Sequence, residues 1–130
     1  MTPDDDARMP PRIAVVGPCA SGKSTLVEGL RQLGFDAYVC GQEHSEISTL
    51  WRHGNPTAVV FLEVDLGTIR RRRGSDWPAD LFAAQLRRLE NAREVALLII
   101  DARMLPPMEV LSRAAEALGA SESLPTNWPR

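Results

Sequence analysis

Gly17, Gly22, Lys23 and Ser24 stand in the spacing G-x-x-x-x-G-K-[ST], within the stretch Gly-Pro-Cys-Ala-Ser-Gly-Lys-Ser-Thr. The chemistry open to such a set is anion binding. Glycines let the backbone turn its N–H groups toward a phosphate, and a following helix adds about half a positive charge at its N-terminus. Lys23 is long enough to reach the outer phosphates, and the Ser24 hydroxyl suits Mg²⁺, which keeps several of its waters. Pro18, Cys19, Ala20 and Ser21 are the spacers of the cradle, and Thr25 carries it into the helix. The expected ligands are a nucleoside triphosphate, ATP, and Mg²⁺.

Such a loop must leave a strand and open a helix. Residues 13–16 form an apolar run suited to a strand covered on both faces. After Lys23, Leu26, Val27, Leu30 and Leu33 recur at helical spacing up to Gly34, a C-cap residue. Residues 35–40 read as a second strand, leading into Gly41, Gln42, Glu43 and His44. If the strands are parallel, Glu43 shares the sheet edge of the loop. Ser45 is expected to cap a short helix carrying Ile47, Leu50 and Trp51, closed by Gly54-Asn55-Pro56.

Residues 58–64 give a third strand, and Asp65 caps a helix bearing Arg70, Arg71, Arg72 and Arg73. After the break at residues 74–78, Leu81, Phe82, Leu86, Leu89 and Ala92 mark a longer amphipathic helix. Residues 95–100 read as a fourth strand ending at Asp101, and Val110, Leu111, Ala114 and Leu118 as a last helix stopped by Gly119. The alternation predicts a three-layer α/β fold, with a short, mostly parallel four-stranded sheet flanked by helices. Ligands of such sheets bind beyond the carboxyl ends of the strands. One nucleotide-binding domain is expected over residues 12–119, with a disordered tail at 1–11 and a loose tail at 120–130.

Composition narrows the partners. A formal net charge of −2 argues against nucleic acid and anionic membranes, and no apolar run approaches a membrane span. Two cysteines do not make a disulfide framework, which favours a reducing cytoplasm. His44 and His53 have no metal-ligand spacing with each other or with the cysteines, so no zinc site is expected. If the Trp51 helix cannot bury its apolar face in so small a domain, a homodimer is the natural remedy.

With these elements placed, the chain resembles the small P-loop kinases: the nucleoside-monophosphate, shikimate, gluconate and dephospho-CoA kinases. The resemblance covers residues 12–118 and is most specific in the loop. It implies an ATP-dependent phosphotransferase acting on a small molecule. By that similarity, arginines of the 70–73 run, Arg70 and Arg73 among them, and a lid arginine, Arg87 or Arg88, would neutralise charge on the phosphoryl group. Residues 101–107, beginning with Asp101, would border the base. In shikimate and dephospho-CoA kinases a carboxylate after the second strand faces the acceptor, and Glu43 stands at the corresponding place. Glu43 could orient the acceptor, take its proton late, or hold a Mg²⁺ water. Members of the family carry five core strands where four are visible here, and the missing unit falls between His44 and Ala58. The alternative function is a nucleotide-binding or slowly hydrolysing switch acting through a protein partner. No N-K-x-D motif supports a GTPase.

Overall fold

The computed structural model describes residues 12–119, and the expectations for the two terminal tails lie outside the described residues. The order is β1 (Arg12–Val16), α1 (Lys23–Gln32), β2 (Asp36–Val39), β3 (Ala58–Glu63), α2 (Leu66–Arg73), α3 (Ala79–Val95), β4 (Leu98–Asp101) and α4 (Pro107–Ala117). The four strands form one wholly parallel sheet in the order β2-β1-β3-β4. Among the described residues, no helix is long and apolar enough to cross a membrane.

Period-two alternation splits each central strand between two layers. Ile13, Val15, Val60 and Leu62 point to one face, where Leu26, Leu30, Leu111 and Ala114 of α1 and α4 cover them. Ala14, Val16, Val59 and Phe61 point to the other, under Leu89 and Ala92 of α3. Each aliphatic or aromatic side chain fully buried in this way is worth about 1.5–3 kcal/mol relative to exposure. The strand that carries the loop is therefore fixed by the core on both sides.

Between β2 and β3 the expected helix from Ser45 is replaced by two short 3-10 turns, Gln42–His44 and Leu50–Gly54. Side chains there take over the backbone bonds that a helix would have made. Buried Gln42 accepts the Trp51 N–H (3.0 Å) and donates to the Ile47 carbonyl (2.7 Å), while Ser45 Oγ accepts the Ile47 N–H (3.0 Å). Ser45 thus stabilises a local turn that competes with helix. The Trp51 indole packs on the α3 face, and its Nε1–H donates to Asn91 Oδ1 at 2.9 Å. That contact leaves Trp51 and Leu50 partly buried within one chain, while Ile47 stays 56% exposed.

Asp65 caps α2 as expected: Oδ1 accepts the Thr68 N–H at 2.8 Å and the Thr68 hydroxyl at 2.6 Å. These hydrogen bonds, with Arg103 and Arg71 nearby, hold its carboxyl below the ordinary carboxylate value. A depressed folded-state pKa stabilises above the unfolded value, near about 3.9, and that contribution fades as pH falls through the folded value. The stability gap between the native chain and Asp65→Asn should therefore be constant at neutral pH and shrink below about pH 4. Urea unfolding across that range measures it, and a gap that widens with acid would contradict the cap.

Candidate functional site

The site sits at the carboxyl end of β1. A Cβ on Gly17 would stand 2.6 Å from the Leu62 carbonyl oxygen and 2.7 Å from Ser21 Oγ, so only glycine fits between the loop and β3. Gly17→Ala should cost about 1–3 kcal/mol in urea unfolding, because the blocking atoms include rigid backbone. Beyond Gly17 the loop closes on a Ser21 N–H to Pro18 carbonyl bond, with Ala20 (φ 63°) and Gly22 (φ 96°) in the left-handed region. Gly22 is the N-cap of α1 and offers no side-chain cap. The first-turn amides, which have no acceptor within a helix, stay available to an outside anion. Ser21 Oγ is buried and has no partner among the described residues.

Lys23 is 9% exposed. Its ammonium donates to the carbonyls of Gly17 and Pro18, each at 2.9 Å, and pairs with Glu43 Oε2, also at 2.9 Å. An ammonium has three donors, and all three are engaged. Glu43 reaches the loop because β2 is the immediate neighbour of β1: Val15 pairs with Val39, and the Cys40 N–H bonds the Val15 carbonyl at 3.0 Å. The chain then turns inward, leaving Glu43 3% exposed with its Oε1 unpartnered among the described residues. Arg88 of α3 fastens this turn through the Glu43 carbonyl (3.2 Å) and Glu46 Oε1 (2.9 Å).

Gln85, on α3 and 1% exposed, holds the other side of the loop. Its Oε1 accepts the Cys19 N–H at 3.1 Å and its Nε2 donates to Cys19 Sγ at 3.2 Å. One of the expected cradle amides is thus already committed. His44 Nε2 lies 3.6 Å from Glu43 Oε2 and 3.9 Å from Cys19 Sγ. The sequence shows no ligand spacing, yet the fold draws donor atoms of Cys19, Glu43 and His44 to within 4.8 Å of one another. Loops after two neighbouring strands meet here, and linear spacing cannot show that.

The four arginines of α2 diverge, as consecutive helical residues must. Arg70 donates to the Trp77 carbonyl and Arg71 to Thr68 Oγ1. Arg72 donates to the carbonyls of Ala20, in the loop, and Ala102, beyond β4. Arg72 and Arg73 line a groove with Lys23, Ser24 and Thr25, and Arg72 also borders a cavity of about 110 Å³ formed with Thr25, Leu26, Ala102, Leu105 and Val110. Arg72, rather than Arg70, is the member that touches the loop. Arg87 lies apart, in a surface groove with Ser48, Glu90 and Asn91. Asp101 faces solvent and is engaged by Arg103 at 2.7–3.1 Å, whose guanidinium holds it below the ordinary carboxylate range. The neighbouring Ala102, not Asp101, lines the cavity. Trp77, set in the break before α3, packs against the α1/α4 side of the core.

No protein-family model, curated protein or solved structure matches the chain. Gln85 is the residue that the sequence left unassigned, and Arg72 stood within the 70–73 run with nothing to single it out. Gln85 had a usable signal: with Phe82, Leu89 and Ala92 it occupies the buried seam of α3, where an uncharged polar side chain needs a partner. Arg72 had none, since its neighbours are also arginines.

Proposed function

We propose that the protein is an ATP- and Mg²⁺-dependent phosphotransferase acting on a small molecule, built on a shortened P-loop fold. The observation that carries this reading is the 2.9 Å contact between Lys23 Nζ and Glu43 Oε2 at the mouth of the glycine loop. It joins a cation suited to phosphate and a carboxylate suited to an acceptor proton in one buried place. Fit to the absent groups is supported by the uncapped start of α1, the unpartnered Ser21 hydroxyl and the groove shared by Lys23, Ser24, Thr25, Arg72 and Arg73.

Bound ATP would supply the transferable phosphoryl group, and Mg²⁺ would offset its charge. The amides of residues 20–24 would hold the phosphates, with Ser24 the hydroxyl offered to the metal ion. Lys23 would exchange its Glu43 contact for phosphate oxygen. Glu43, so released, would orient the acceptor hydroxyl and take its proton on the carboxylate. Arg72 and Arg73 would stabilise negative charge from the groove's far wall. The cavity beside Ala102 and Leu105 is suited to the base. Cys19 and Cys40 are both free thiols, in keeping with a reducing cytoplasm.

The second reading, a nucleotide-dependent switch with no acceptor, is favoured by the connection between His44 and Ala58, which holds only a 3-10 turn. ADP release separates the two. The purified chain with Mg²⁺ and ATP should release ADP only when a pool of small hydroxyl- or phosphate-bearing metabolites is added. Equal release with and without the pool would favour the switch.

A further inference from the structure

We infer that Cys19, Glu43 and His44 form a binding site for a thiophilic divalent cation, with Zn²⁺ the best match. Zinc bonds of about 2.0–2.3 Å at tetrahedral angles put ligand atoms roughly 3.3–3.8 Å apart. The observed separations are 3.6 Å from His44 Nε2 to Glu43 Oε2 and 3.9 Å from His44 Nε2 to Cys19 Sγ. Those two edges need movements of a few tenths of an ångström. His44 is the exposed member, its side chain 65% accessible, and can supply them. The three donor atoms all lie within 4.8 Å of one another, so the remaining edge closes with a shift of up to about 1 Å.

A second observation points to a ligand. Glu43 is 3% exposed, and its Oε1 has no hydrogen-bond partner among the described residues. An unpaired carboxylate oxygen at such depth is costly, and a cation removes the cost. Oε2 is both the oxygen held by Lys23 and the one nearest His44, so Oε1 is the carboxylate oxygen left free for the metal ion. Coordination replaces the Cys19 S–H bond with an S–metal bond and releases the proton to solvent. The Gln85 Nε2–H, 3.2 Å from Sγ, stabilises the resulting thiolate, as outer partners of metal ligands commonly do. Three protein ligands leave a fourth position for water or a small anion. Softness sets the choice: thiolate and imidazole select zinc over magnesium.

The test is cobalt substitution of the full chain, stripped of metal by a chelator and free of nucleotide, so its outcome is independent of the phosphotransferase reading. One equivalent of Co²⁺ should give visible bands of tetrahedral intensity and a near-ultraviolet thiolate-to-cobalt band, both erased by Zn²⁺. Cys19→Ser should abolish the thiolate band. His44→Ala, which alters an exposed side chain, should keep the melting temperature of the metal-free protein and weaken Co²⁺ by more than about a hundredfold. Cys40→Ser should leave the spectrum unchanged, since Cys40 lies buried under α3. Absence of a thiolate band, its survival in Cys19→Ser, or native Co²⁺ affinity in His44→Ala would each overturn the assignment.

Discussion

Lys23→Ala should destabilise the protein by about 3–5 kcal/mol, the cost of leaving a buried charge without its partner. Surface pairs in this fold offer the contrast. Arg12 and Asp36 also approach to 2.9 Å, but both are about half exposed, and such pairs are worth about 0–1 kcal/mol. Lys23 and Glu43 are 9% and 4% exposed at their side chains, so the carboxylate left behind cannot be rehydrated without opening the loop. Urea unfolding at neutral pH reads the loss. Lys23→Met combined with Glu43→Gln should recover most of it, because no net charge then remains buried. The same lysine should also govern ligand binding. ATP with Mg²⁺ at about a hundred times its dissociation constant stabilises a native protein by roughly 2.7 kcal/mol. That increment should appear in the native chain and vanish in both lysine variants. A cost of less than about 1 kcal/mol for Lys23→Ala would mean that water reaches the pair.

Glu43→Gln separates holding from chemistry. The amide keeps an oxygen for the Lys23 ammonium, which retains its bonds to Gly17 and Pro18. The buried charge loses its counter-ion, so the metal- and nucleotide-free protein should lose stability. Nucleotide-induced stabilisation, which brings phosphate charge to Lys23, should survive. Acceptor-dependent ADP release should fall by about 10²–10⁴-fold, the usual worth of a positioned proton acceptor. A calorimetric melt and a turnover assay on one preparation give both quantities. Turnover at the native rate would limit Glu43 to seating Lys23.

Much of this was legible because it is local. The apolar run before Gly17, the 3.6-residue repeat after Lys23 and the Asp65 cap each depend on neighbours within a few residues, and each element forms where its pattern lies. The approach of Glu43 to the loop needed only one further assumption, parallel strands. Residues 45–54 were misread as a helix because Gln42 satisfies their backbone from outside the segment. Gln85 reaches Cys19 across 66 residues and Arg72 reaches Ala20 across 52, so no local pattern announces either contact. Cys19, Glu43 and His44 meet only because β2 lies directly beside β1. Strand order decides that meeting.

The loop after β1 is moored to every layer around it. Gly17 abuts the Leu62 carbonyl of β3, Lys23 holds Glu43 beyond β2, Gln85 of α3 grips Cys19, and Arg72 spans from Ala20 to the chain beyond β4. A free glycine loop would have to surrender its conformational entropy at the moment a ligand arrives. Here that loss has already occurred on folding. Binding energy at this loop can therefore go into affinity and orientation rather than into ordering the chain, which is the advantage of preorganisation.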